Sequence, residues 1–235
     1  MELENSTKTV TKDDFLKSIL GNAEESAIAN DKIEQYEKSQ AEQKEIEKQD
    51  HYKKSGVGER YWNLRIEDFD AYSDELKNNL EQVKRFIADV NSGKCRTLWL
   101  CGENGTGKTM LASLIVRECW GKYAEIYCID DDLKDSLRFN SEETRTKVFN
   151  RYKNYKVLVI DEVGRFPSDE EKRNLFHILN DRYANNKSTV IVSNLDKKTL
   201  CEYMGKALFD RFLENCTSLV FSDKSYRSKL REKIN

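Results

Sequence analysis

From residue 97 onward the chain alternates short, unbroken apolar runs with longer stretches in which apolar residues recur every three or four positions. The unbroken runs read as strands buried on both faces, and the wider spacing reads as helix. Strands are expected at 97–101, 124–130, 156–161, 188–193 and 218–222, with helices near 107–120, 142–152, 168–185, 196–203 and 205–214. Strict alternation of this kind predicts an α/β fold: a three-layer core whose parallel five-stranded sheet lies between helices and takes its ligands at the carboxyl ends of the strands. Upstream, Leu76, Leu80, Val83, Ile87 and Val90 share one side of a helix from Ser73-Asp74 through Asn91, with Ser73 or Asp74 as its cap.

Residues 1–55 are patterned differently. Phe15, Leu16, Ile19 and Leu20 share a helix face, but from Glu34 to Lys54 acid and base alternate as on a long solvent-exposed helix. Such a segment builds no core of its own. It reads as a helical, charged arm that binds a partner, with a flexible tether as the alternative. A hinge is expected at Ser55-Gly56-Val57-Gly58, which gives an arm at 1–55, a linker at 56–72 and the α/β domain at 73–235.

Composition narrows the classes. The 235 residues carry a formal net charge of -2, so no global positive field advertises nucleic acid. The charge is uneven: residues 1–55 hold 13 Asp or Glu against 9 Lys, whereas the tail gathers Lys224, Arg227, Lys229, Arg231 and Lys233 around a lone Glu232. That tail suits either phosphates or a solvated helix face. Six cysteines without a C-x-x-C pair, and histidines only at 51 and 177, point to a reducing compartment and no structural zinc. No run approaches the roughly 18 apolar residues of a membrane span, and the charged start lacks a signal-peptide core. A cytoplasmic protein with no membrane partner is expected.

The chemistry concentrates in Gly102-Glu103-Asn104-Gly105-Thr106-Gly107-Lys108-Thr109, a P-loop placed between the first strand and its helix. A triphosphate is held most closely by a ring of backbone N–H groups, which glycine-rich chain can form, at the positive end of a helix dipole. Lys108 is expected on the β- and γ-phosphates and the Thr109 hydroxyl on Mg²⁺. About fifty residues on, Val157-Leu158-Val159-Ile160-Asp161-Glu162 has the form of a Walker B strand, with Asp161 for the Mg²⁺ shell and Glu162 to polarise the attacking water. Asn194, at the end of 189–193, either orients that water or caps the helix beginning near Asp196. Pro167, the one proline, turns the chain into the helix at 168–185. The order Asn194-Leu195-Asp196-Lys197 is not a guanine-recognition motif, so ATP is the expected nucleotide, with Mg²⁺.

With these motifs in place, the sequence over Gly56 to Arg231 resembles the AAA+ family, and within it the DnaC/IstB group of helicase loaders and transposition ATPases. Val57-Gly58-Glu59-Arg60-Tyr61 and Ile66-Glu67-Asp68-Phe69 look like the segment that commonly precedes the family's ATPase core, with Gly58 where proline is usual. Asp161-Glu162-Val163-Gly164 stands where the family often reads Asp-Asp-x-Gly. Leu208-Phe209-Asp210-Arg211-Phe212 is similar to box VII, which implies that Arg211 enters a neighbouring subunit's ATP site in a self-oligomer. Ser225-Tyr226-Arg227 is similar to sensor II, which implies that Arg227 reads the γ-phosphate in its own subunit. Without the resemblance, Arg211 pairs with Asp210 or Glu214 and Arg227 is a solvated cation.

The stretch from Asp130 into 142–152 falls where loaders and initiators carry a helix along single-stranded DNA. It offers Lys134, Arg138, Arg145, Lys147 and Arg151 for phosphates and Phe139 and Tyr152 for bases, or these are ordinary helix-surface residues. The implied function is an ATP-hydrolysing loader of a DnaB-like replicative helicase onto single-stranded DNA. The alternatives are an IstB-like regulator of a transposase on duplex DNA and a non-catalytic ATP-binding assembly protein.

Overall fold

The computed structural model describes residues 26–138, 142–165, 168–223, 225 and 226. The chain divides into two compact units, Met1–Lys48 and Gln49–Asn235. Residues 26–48 of helix α1 (Ser26–Lys54) are the described part of the first unit, where Ile33 and Tyr36 are half-buried and Ile46 is exposed. The expected face of Phe15, Leu16, Ile19 and Leu20 lies outside the described residues.

In the second unit, five parallel strands run β1 (Thr97–Gly102), β2 (Lys122–Glu125), β3 (Val157–Asp161), β4 (Ser188–Ser193) and β5 (Cys216–Phe221), in the spatial order β2-β3-β4-β1-β5. The helices are α2 (Asp74–Asn91), α3 (Lys108–Cys119), α4 (Ile126–Arg138), α5 (Glu142–Asn154), α6 (Asp169–Ala184), α7 (Lys197–Met204) and α8 (Lys206–Glu214). The pleat divides the sheet's side chains between two cores. Leu98 and Leu100 of β1 pack with Leu111, Leu114 and Ile115 of α3 and Val83 and Phe86 of α2, whereas Trp99 and Cys101 face Ile178 of α6 and Phe209 and Phe212 of α8. The three-layer, five-stranded parallel expectation therefore holds. Because β1 lies between β4 and β5, the chain leaves its carboxyl end in one direction and returns from the other, opening the crevice in which such sheets bind ligands.

Two expectations need correction. The second strand stops at Glu125 instead of reaching 130, and the chain turns directly into α4. Ile126, Ile129 and Leu133 are all almost fully buried, a spacing of three and four that a helix stripe satisfies and a strand does not. The hinge at 55–58 is also packed in place. Ser55 and Val57 are buried, the Tyr123 N–H donates to the Ser55 carbonyl at 2.9 Å, and a Cβ on Gly56 would stand 2.3 Å from the Tyr123 carbonyl oxygen. Trp62 Nε1 donates to the Val57 carbonyl, and the buried Arg117 of α3 donates to the carbonyls of Trp62 and Leu64. One backbone bond to β2 and the buried Arg117 guanidinium thus strap the linker to the core. The smaller shift, of β5 to Cys216–Phe221, follows from its full parallel register with β1, beginning at Thr97 opposite Cys216.

Helix ends were well marked by sequence. Ser73 caps α2 and Ser168 caps α6, each hydroxyl accepting the N–H three residues on, with acids in both first turns.

Candidate functional site

The P-loop leaves the carboxyl end of β1 and becomes α3 at Lys108, so its backbone amides converge at a helix N-terminus. Gly102 has φ 122, and a Cβ there would sit 2.2 Å from the Phe221 carbonyl oxygen, the atom that accepts the Glu103 N–H at 2.9 Å. Only glycine lets the loop leave the sheet at this point. Gly102→Ala is expected to cost at least about 1–3 kcal/mol in strain and to weaken nucleotide binding with it. Thermal unfolding alongside titration with a fluorescent ATP analogue reads both, and wild-type values for the variant would show the contact to be dispensable.

Lys108 is buried, and its ammonium donates to the carbonyls of Gly102 and Glu103 at 2.7 and 2.6 Å, placing the charge at the loop's centre. Burial lowers its pKa, an effect opposed by the carboxylates of Asp161 and Glu162. Thr106 closes the loop by donating to the Glu103 carbonyl at 2.8 Å.

Asp161 ends β3 beside this loop, buried, as the structural centre of the site. Its Oδ2 accepts the Thr109 hydroxyl at 2.9 Å and the Tyr123 hydroxyl at 2.6 Å, and its Oδ1 accepts the Glu162 N–H at 2.7 Å. The adjacent Thr109 and Asp161 oxygens fit Mg²⁺, which takes one or two protein ligands and fills its octahedron with phosphate oxygens and water. Bound there, the ion would offset charge on the β- and γ-phosphates.

Glu162 follows in a left-handed conformation, φ 59, uncommon for a residue with a side chain and of the kind found at functional sites. Burial raises the pKa of its carboxyl, Asp161 raises it further, and Arg165, whose guanidinium donates to it at 2.9 Å, opposes both. A part-buried carboxylate with enhanced basicity suits proton abstraction from water. Asn194 meets the same cleft from β4, its Nδ2 donating to Asn104 Oδ1 at 2.9 Å. The capping alternative for Asn194 is excluded, since Asp196 itself caps α7 by accepting the Thr199 N–H.

These groups line a cavity of about 840 Å³. Its lining also includes the aromatic residues Tyr61, Phe69, Tyr72 and Tyr226, with Arg60, and Phe69 lies so close to the loop that a Cβ on Gly107 would stand 2.7 Å from its ring. Tyr72 stacks with Tyr226 at 6.4 Å, and the Tyr226 N–H donates to the Gly105 carbonyl at 2.9 Å. Aromatic surface beside a phosphate cradle can seat a nucleoside.

The remaining candidates separate. Arg227 and Phe139 lie outside the described residues, and so does the Arg138 side chain. Arg211 is exposed on α8 and donates to Asn180 Oδ1 at 2.6 Å, in place of the Asp210 or Glu214 pairing. It lines a separate cavity with Thr97 and Thr189, at the amino ends of β1 and β4 and so at the sheet end opposite its own P-loop. Lys134 is exposed, and Arg145 is half-buried with its guanidinium over the Phe149 ring. Tyr152 is withdrawn from any base-stacking role: it is 3% exposed, and its hydroxyl and Arg151 both donate to Asp132. Among the described residues, no helix is long and apolar enough to cross a membrane.

Tyr123, Arg165 and the aromatic lining are site residues that no motif marks. Tyr123 carries no signal in the sequence: only the register of β2 with β3, Tyr123 opposite Val159, brings it within reach of Asp161.

Comparison with known proteins agrees with this geometry. The family model described as IstB-like ATP binding protein matches residues 31–234. The replicative helicase loader DnaC of Buchnera aphidicola subsp. Baizongia pistaciae is 30% identical over 184 residues, covering 75% of this chain and 74% of that protein. A putative ATP-binding protein of insertion sequence IS232 from Bacillus thuringiensis subsp. berliner is also 30% identical, over 171 residues, covering 70% of this chain and 68% of the relative. Among solved structures, a DnaC helicase loader superimposes with a TM-score of 0.63 at 23% identity, covering 70% of this chain and all of that one, which supports the AAA+ P-loop fold. This chain belongs to the family of IstB-like ATP-binding proteins.

Proposed function

We propose that this protein is an ATPase that loads a replicative helicase onto single-stranded DNA, working as an oligomer. The observation that carries the reading is the one cleft where Lys108, Thr109, Asp161, Glu162 and Asn194 meet, on a chain with relatives named replicative helicase loaders. In the proposed reaction Glu162 takes a proton from the water that attacks the γ-phosphorus. The bond from that phosphorus to the β–γ bridging oxygen breaks, and ADP leaves. Lys108 and the loop amides hold the phosphates, and Asn194 orients the water. Arg211 reaches the site of an adjoining copy, and Arg227 serves its own. The charged arm at 1–55 grips the helicase, while Lys134, Arg138, Phe139 and Arg145 are the proposed contacts to the DNA strand.

Glu162→Gln tests the chemistry. It is expected to leave ATP binding in place while turnover falls by about 10²- to 10⁴-fold, the usual contribution of a positioned base. Unchanged function would favour the non-catalytic assembly protein. Tagged protein, with and without a non-hydrolysable ATP analogue, is expected to capture a replicative helicase, and deletion of residues 1–48, which spares the buried Tyr52 and Ser55, is expected to abolish capture. Retention without the arm would remove it from the interface. A second reading, delivery of a transposase to duplex DNA, is favoured by the IS232 relative at the same 30% identity. Capture of the transposase and not the helicase would establish it.

A further inference from the structure

The turn that carries Glu162 also carries a cation that enters none of the roles above. Residues 162–165 form a tight turn closed by the Arg165 N–H donating to the Glu162 carbonyl at 3.1 Å, so the two side chains emerge on the same side. The turn is held from several directions. The Val163 N–H donates to the Val192 carbonyl, Ser193 Oγ donates to the Val163 carbonyl, and Gly164, at φ 78, lies where a Cβ would stand 2.4 Å from Leu195. Against this fixed backbone the Arg165 side chain is 53% exposed and lines the nucleotide cavity, with its Nη1 2.9 Å from Glu162 Oε1.

We propose that Arg165 is a latch shared between two anions: it holds the Glu162 carboxylate when no terminal phosphate is present, and a γ-phosphate draws the guanidinium off and frees the carboxylate for water. Three observations support this. An ion pair half open to water is weak, about 0–1 kcal/mol, so a multiply charged phosphate in the same cavity can outcompete it. The rigid turn leaves the side chain as the part that moves, so exchange needs no rearrangement of the sheet. Arginine presents a planar fork suited to carboxylate and phosphate alike. The result is a positioning residue that couples availability of the base to the presence of a triphosphate. It is distinct from Arg211, which would come from another copy, and from Arg227.

The inference rests on the nucleotide reading of the cleft, and its test separates the two. Affinities of full-length protein for ADP and for a non-hydrolysable ATP analogue are measured for the wild type, Arg165→Ala, Arg165→Lys, Glu162→Gln and the double variant. Arg165→Ala is expected to weaken the analogue by about two- to fivefold, the scale of an exposed ion pair, and to leave ADP unchanged. Arg165→Lys is expected to recover part of the loss. Removing the competing carboxylate by Glu162→Gln is expected to tighten the analogue more when Arg165 is present than in the Arg165→Ala background. Equal effects on both nucleotides, or strictly additive effects of the two substitutions, would overturn the latch. If wild-type protein bound neither nucleotide, the site reading would fail first.

Discussion

Arg211→Ala is expected to reduce ATP turnover by about 10³- to 10⁵-fold, the range of an arginine finger, while each subunit still binds ATP. α8 ends at Glu214 just before β5, and the Asn215 carbonyl accepts the Thr97 N–H, which places Arg211 near the amino end of β1. The P-loop leaves the other end of the same strand. Six residues of strand span roughly 17 Å, beyond what an arginine side chain covers. A role at a γ-phosphate therefore requires a neighbour's. A mixing experiment makes the point: Arg211→Ala and Lys108→Ala proteins, each inactive alone, are expected to recover turnover together, because a pocket with Lys108 can then meet a subunit with Arg211. No recovery across mixing ratios, in an assembly shown to contain both variants, would count against a role in trans.

Arg182→Met is expected to destabilise the second unit by about 3 kcal/mol or more, since each buried acceptor left unpaired costs about 1–3 kcal/mol. Arg182 has no exposed surface. Its Nε donates to Thr189 Oγ1 at 2.9 Å, its Nη1 to the carbonyls of Tyr152, Lys153 and Tyr155 at 3.0, 3.1 and 2.9 Å, and its Nη2 to the Ser188 carbonyl. It ties the end of α5 to the starts of β3 and β4, where backbone oxygens would otherwise face an apolar interior. Burial pulls its pKa down to about 10, which still leaves it charged at neutral pH. A methionine fills the volume and supplies no donors, so chemical denaturation should show a lower midpoint at an unchanged slope. Arg182→Lys should rescue only in part, because one ammonium cannot reach acceptors spread around a planar fork. A Met variant as stable as wild type would show that water satisfies those carbonyls.

Arg182 also shows where sequence reading gave out. Leu175, Ile178, Leu179 and Arg182 continue one helical stripe, so the position was legible as buried, but residue type marked it as surface. The same holds for Asn79, which stands in the stripe of Leu76 and Val83 and donates to the Val220 carbonyl at 2.7 Å. Periodicity was the better guide at both sites, because a buried polar group is stable once its hydrogen bonds are met, and its partners lie too far along the chain for local pattern to reveal. At Ile126 the reverse holds: the apolar run reads as continuing strand, but its third-and-fourth spacing belongs to a helix.

Length and apolar order along the chain determined the α/β class, the parallel sheet and the end at which ligand sits, because strands buried on both faces must alternate with covering helices. Eight consecutive residues determined the phosphate cradle, since its chemistry is local backbone chemistry. Tertiary structure alone decided that Tyr123 and Thr109 share Asp161, that Asn194 meets Asn104, that the supposed hinge is strapped down and that Arg211 faces away from its own cleft. Each of these depends on contacts between residues from about 30 to 90 positions apart or on which end of a strand a helix reaches, and those are set by packing of the whole sheet.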